Sequence, residues 1–193
     1  MEKILVVKRK IIAPYLNVSL NNKDREEEFI KIIEDNCFFH PRDDAETNIS
    51  LKQIIPYVLI RRWGSGAYFM TKRLNKQKER RLHGMLSLGI GGHIEPIDKK
   101  DNIIMEGLKR EISEEINITY NWPPKFLGII NDDENDVGKV HLGLAYEIEA
   151  INNDISVKEK DKMEGRWVTP DEINELYENL ESWSKIIFKN NLY

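Results

Sequence analysis

All 11 glycines of this 193-residue chain fall between Gly64 and Gly165. That confinement constrains the fold more than any other single feature. Glycine supplies the backbone angles that tight turns require. The closely turned, strand-connecting part of the chain therefore lies in its middle, and the flanks are helical or extended. Residues 54–62 read as an apolar strand, Trp63-Gly64-Ser65-Gly66 as a turn, and Ala67 to Arg73 as a returning strand. Residues 74–83 are a basic connection. A short strand from Met85 to Ile90 runs into Gly91-Gly92, and residues 103–116 are helical. Strands follow at about 125–131 and 139–149. In the second, Val140, Leu142, Leu144, Tyr146 and Ile148 alternate with small or polar residues. Asp132 to Asp136 form an acidic turn between them. After a last strand at Arg166-Trp167-Val168, Thr169 caps a helix with Pro170 in its first position and Glu172 completing a capping box. A final helix covers about 181–189. In the N-terminal flank, residues 2–8 are a strand. Residues 24–35 are an amphipathic helix with Phe29, Ile30, Ile32 and Ile33 on its apolar face. This order predicts an α/β fold, a mixed central sheet sandwiched between helices.

Composition narrows the function. Apolar residues make up 40% of the chain and charged residues 32%, enough for a core within one domain. The net charge of −4 argues against a broad nucleic-acid-coating surface, so no nucleic acid polymer is expected as partner. The single cysteine, Cys37, excludes an internal disulfide and a cysteine-based zinc site. No apolar run approaches the ~18–20 residues of a membrane span, and the first residues are too charged for a signal peptide. A cytoplasmic protein with no membrane partner is the expectation.

Chemistry concentrates at Arg110-Glu111-Ile112-Ser113-Glu114-Glu115. On a helix, Glu111, Glu114 and Glu115 fall within an arc of about 100°, beside a stripe of Met105, Leu108, Ile112 and Ile116. Gly107 lies one turn earlier, on the carboxylate side, and leaves a flat surface for a close approach. Clustered carboxylates repel one another unless a hard divalent cation lies among them. The alternative reading is a solvated acidic face.

The segment from Gly91 to Ile118 resembles the Nudix box, G-x5-E-x7-R-E-U-x-E-E-x-G-U with U a bulky apolar residue. Gly91-Gly92, Glu95, the whole of Arg110 to Glu115 and Ile118 match it. The match departs in three places. An insertion at Pro96 to Asp101 looks like a surface turn. Asn102 stands where an upstream glutamate is expected, leaving Asp98, Asp101 or Glu95 to take its part. Asn117 replaces a glycine, and asparagine suits a left-handed helix end. Residues ~54–190 fit a MutT-like Nudix domain, and residues 1–50 form a strand-and-helix extension packed on the 51–193 domain. The segments Gln53 to Tyr57 and Ser87 to His93 resemble a bacterial subgroup described as predicted phosphoesterases.

The resemblance implies a metal-dependent hydrolase of a diphosphate linkage in a nucleoside diphosphate joined to another moiety. Glu111, Glu114 and Glu115 are then ligands of Mg2+, or of Mn2+ in its place, assisted by the Gly91 carbonyl. Arg110 orients a glutamate of its own helix through a bidentate pair. The general base is sought among loop acids: Glu164 first, then Asp161, then Glu134. Arg73, Arg81 and His93 are candidate substrate contacts. Magnesium's preference for oxygen argues against His93 as its ligand, and His40, His83 and His141 show no metal-ligand spacing with one another. Cys37 reads as a buried apolar cysteine. The rival reading is a Nudix-fold module that senses a nucleotide without cleaving it. The N-terminal 50 residues are available for a homodimer interface.

Overall fold

The structure, a computed structural model, describes residues 1–16, 23–74, 84–98 and 101–192. The chain begins with β1 (Lys3–Lys8), α1 (Arg9–Ile12) and α2 (Lys23–Asn36). Strand β2 (Phe38–Pro41) and the single turn α3 (Arg42–Ala45) lead into the long strand β3 (Leu51–Arg62). Strand β4 (Tyr68–Arg73) returns, followed by β5 (Leu86–Ser87) and β6 (Gly89–Gly91). Helix α4 (Ile103–Glu115) runs directly into β7 (Ile116–Asn117). Then come β8 (Lys125–Ile130), α5 (Asp136–Val140), β9 (His141–Ala150), β10 (Ser156–Val157) and β11 (Met163–Val168). Helices α6 (Pro170–Glu175) and α7 (Ser182–Ile187) follow. The result is an α/β fold with a large mixed sheet. No helix among the described residues is long and apolar enough to cross a membrane.

Two compact units are built from interleaved segments. The first comprises Met1–Tyr57, Gly91–Arg110 and Phe126–Ala145. Strand β1 has partners on both edges, with Leu5 opposite Phe39 of β2 and Val6 opposite Gln53 of β3, both antiparallel. Such an enclosed strand reads as a continuous apolar run, here Ile4 to Val7. Ile4, Val6, Ala45 and Leu51 form a small core that Phe38 closes. Lys52 is fully buried. Its ammonium donates to Asp133 Oδ1 at 2.9 Å, Gly138 O at 2.7 Å and His141 O at 3.0 Å. A buried ammonium is tolerated only when its hydrogens are matched, and these three partners match them. Arg9 grips the same Asp133 at 2.5 and 3.1 Å. Asp133 is thereby neutralised and the acidic turn tied down.

The second unit comprises Val58–Ile90, Glu111–Lys125 and Tyr146–Tyr193. Strand β4 pairs antiparallel with β11 from Met163–Arg73 to Val168–Tyr68, and with β5 at Thr71–Ser87 and Lys72–Leu86. A parallel bridge joins Leu86 to Leu180. Phe69 packs edge-on against Trp167 at 5.5 Å and lies over Gly165, where a Cβ would come within 2.3 Å of the ring. The capping box at Thr169 forms as its residues dictate. The Glu172 amide donates to Thr169 Oγ1 at 3.3 Å, and the Thr169 amide donates to Glu172 Oε2 at 2.8 Å.

One expectation is corrected here. Helix α4 does not end on a left-handed residue. Asn117 lies in β7, opposite Ser156 of β10, and its amide donates to Ser156 Oγ at 3.3 Å. Strand pairing takes over at once from the helix, so no left-handed turn is needed. Among the described residues the left-handed asparagine is Asn102, with φ of 73°, and its carbonyl accepts the Glu106 amide at 3.0 Å as α4 begins.

Candidate active site

The last turns of α4 carry the acidic arc. Ile104, Leu108, Ile112 and Ile116 are buried along one stripe of the helix. Beside that stripe Glu111 is buried, Glu115 half-buried and Glu114 exposed. Burial pushes the Glu115 carboxyl up to about 7. Arg73 opposes that shift, while Glu111, Glu159 and Glu114 add to it. Because the folded value lies above the ordinary 4.5, the metal-free fold loses stability as pH rises from 4.5 through 7. The unfolded chain has given up this proton over that range and the folded chain has not. A divalent cation among these oxygens reverses the penalty. An all-carboxylate donor set fits Mg2+ or Mn2+ in type and charge.

Arg73, at the end of β4, is the basic residue whose charge acts on Glu115. Glu164 does not lie on a loop. It sits in β11 opposite Lys72 of β4, with its side chain 62% exposed and 3.7 Å from the Lys72 ammonium. Opposed residues of an antiparallel pair share a face and neighbours alternate. Glu164 and Lys72 therefore project from the face opposite that of Arg73. The loop acid whose charge acts on Glu115 is Glu159, which sequence reasoning missed; its Oε1 also accepts from the Lys162 ammonium at 2.5 Å. The loop that bears it is fastened to the end of α4: the Lys158 amide donates to Glu115 O at 2.8 Å, and the Lys158 ammonium donates to Ser113 O. Asp161 follows on the same loop. A groove of about 580 Å³ along Ile112, Ser113, Ile116 and Lys158 lies on the other side of the helix and includes none of the three glutamates.

In the first unit, Arg110 is held in a polar cradle. Its Nε donates to Asp98 Oδ1 at 3.1 Å, and its Nη2 donates to Asp98 Oδ2 at 3.4 Å and to His93 O at 2.6 Å. Asp98 thus gives Arg110 a bidentate carboxylate partner. This aspartate also accepts the Glu95 amide at 2.8 Å and is almost wholly buried. The described start of the insertion is thus anchored at Asp98 with Ile97 left exposed, while Lys99 and Lys100 lie outside the described residues. The flat side at Gly107 receives Ile94, whose Cγ1 would lie 2.8 Å from an added Cβ, and the Asp98 carboxylate. That close approach serves packing.

Gly91 is required by sterics. A Cβ there would sit 2.4 Å from Pro56 O and 3.1 Å from Tyr57 Cα. Backbone cannot give way as a side chain does, so Gly91→Ala is expected to cost about 1–3 kcal/mol. A thermal melt checks this; an unchanged midpoint would show that β6 does not pack so closely on β3.

His93 is half-buried. Its Nε2 lies 2.7 Å from Gln53 Oε1, and its ring is 5.6 Å from that of His141. Burial, with Arg42, His141 and Arg110 nearby, pulls it down to about 3, so the ring is neutral at physiological pH. Glu134 belongs to the turn that Arg9 and Lys52 tie down through Asp133. There Asn135 caps α5 by accepting the Gly138 amide at 2.8 Å. Cys37 is half-buried, with Sγ 3.4 Å from Glu34 O, and burial raises its thiol above the usual range. Arg81 lies outside the described residues.

Comparison with known proteins adds the following. No family model matches the chain. Protein YmaB of Bacillus subtilis is 38% identical over 154 residues, covering 76% of this chain and 74% of that protein. The crystal structure of Tm1382, assigned as a Nudix hydrolase, is similar over 100% of both chains at 32% identity, with a TM-score of 0.83. The Nudix domain of Shewanella oneidensis NrtR, solved in complex with ADP ribose, shares the fold at 8% identity. It covers 72% of this chain and 85% of that one, with a TM-score of 0.57.

Proposed function

The chain belongs to the Nudix hydrolase family, enzymes of phosphoric anhydride bonds, and we propose that it cleaves the diphosphate of a nucleoside diphosphate joined to a second group. One observation carries this reading: three carboxylates share the end of α4, where burial first, and then the charges of Glu111, Glu159 and Glu114, hold Glu115 against ionisation. Glu111, Glu114 and Glu115 would hold Mg2+, or Mn2+ in its place. Such an ion neutralises charge on a diphosphate and acidifies a bound water. Arg73 contacts a substrate phosphate, since a guanidinium beside the cluster pairs with phosphate oxygens. Arg110 acts at one remove by fixing the insertion and the His93 carbonyl. Residues 51–193 carry the catalysis in this reading, with 1–50 as its extension.

The general base is an acid within reach of water at the cluster, and the Lys158 latch favours Glu159 over Glu164. Glu159→Gln is expected to lower kcat by about 100-fold or more with little change in KM, the scale of general-base loss. Glu164→Gln is expected to stay within a few-fold of the parent. Steady-state kinetics of the two variants decide it; the reverse ranking returns the role to Glu164.

The substrate class is tested with a panel containing ADP ribose, a dinucleoside polyphosphate, nucleoside triphosphates and phosphomonoesters. ADP ribose comes first because a protein of the same fold binds it. Mg2+-dependent release of a nucleoside monophosphate from a diphosphate-linked member supports the reading. Orthophosphate released from monoesters alone would overturn it.

A further inference from the structure

We propose that Glu46, His93 and His141 form a binding site for one first-row transition-metal ion, with Zn2+ the closest chemical fit. The three residues come from separate segments of the first unit: the turn after α3, the loop after Gly91-Gly92, and the start of β9. One ring nitrogen of each histidine and one carboxylate oxygen of Glu46 lie within 4.8 Å of one another.

The hydrogen bonds around the imidazoles settle which nitrogens hold lone pairs. His141 Nδ1 lies 2.7 Å from Val137 O. A carbonyl only accepts, so Nδ1 carries the proton and Nε2 the lone pair. His93 is fixed by Gln53, whose amide nitrogen donates to Ala45 O at 3.2 Å. That bond orients the buried amide, so Gln53 Oε1 is the atom facing His93 and can only accept. His93 Nε2 must then carry the proton, which leaves the lone pair on Nδ1. Each ring thus has one nitrogen held by an oxygen acceptor and the other free to ligate. This is the arrangement that fixes the tautomer of metal-binding histidines.

The third group, Glu46, is exposed and opens the cluster to solvent. Arg42 reaches it at 3.3 Å but pairs more closely with Glu2 at 2.7 Å, so Glu46 can turn to the imidazoles without stranding the guanidinium. Two imidazoles and one carboxylate suit zinc and its first-row neighbours, with a position left for water. Magnesium, which takes oxygen, is not expected there. The donor set thus differs in kind from the all-carboxylate arc of α4.

Co2+ is the probe, because its visible absorption reports nitrogen ligation. With excess Mg2+ present, the full chain is expected to take up one Co2+ per copy, and Zn2+ to displace it. His141→Gln and Glu46→Gln should each weaken Co2+ binding by at least about 10-fold. Glu46 is exposed, so its variant tests the site even where His141→Gln folds poorly. Glu115→Gln should leave Co2+ uptake unchanged. Uptake that survives both substitutions, no uptake by the parent protein, or loss of the signal in Glu115→Gln would each overturn the proposal.

Discussion

Glu115→Gln is expected to lower turnover by about 100-fold or more, the upper end of the losses seen when a metal site is disturbed. Glutamine keeps the shape of the side chain and one oxygen but removes the charge that holds a cation. Glu114→Gln should fall comparably. The fold should not suffer. Burial and the neighbouring Glu111, Glu159 and Glu114 all disfavour a charge at Glu115, so a neutral side chain relieves strain in the metal-free protein. The melting temperature of the chelator-treated variant at about pH 8 should match or exceed that of the parent. Full activity with added Mg2+ in both variants would remove these glutamates from the site. Inactivity together with a collapsed melt would mean that the arc is structural.

Asp98→Ala is expected to carry the largest stability cost, about 3 kcal/mol. The scale is that of removing one partner from a buried ion pair. The Asp98 side chain is 3% exposed and that of Arg110 is 13% exposed. Without Asp98, the guanidinium loses its two bonds to that carboxylate and the Glu95 amide loses its acceptor. Deleting one partner of a buried pair costs more than the pair's net contribution, because the groups left behind stay desolvated. Denaturant unfolding of the variant measures this directly. A loss under ~1 kcal/mol would show that water replaces the carboxylate and that the insertion is not anchored there.

What could be read from the residues was local. The arc of Glu111, Glu114 and Glu115 follows from helical spacing alone. The capping box at Thr169 needs only residues three apart, and it forms as read. The signals that escaped were non-local. Strand β2 has no alternation of its own and exists because β1 offers it an edge. Asp98 reaches Arg110 across an insertion, where no spacing rule applies. Gly165 suggests a loop beside Glu164, yet β11 continues through it because Phe69 occupies the space a side chain would need. Asn117 has the residue type of a helix end but is claimed by pairing with Ser156. Glu46, His93 and His141 are about fifty residues apart in turn, and only the fold brings them together.

Catalysis by this fold depends most directly on the cation site proposed at the end of α4. Mg2+ titrated calorimetrically into the metal-free protein between about pH 6 and pH 8 tests it. Ligation requires the Glu115 carboxylate, and in the metal-free protein that group is about half protonated near pH 7. Binding therefore releases a proton around neutrality, and affinity climbs as pH rises through about 7 before levelling. In Glu115→Gln the pH dependence should vanish along with most of the affinity. An affinity that is flat across the range, or equal in the parent and Glu115→Gln, would contradict the assignment of Glu111, Glu114 and Glu115 as the metal-binding carboxylates.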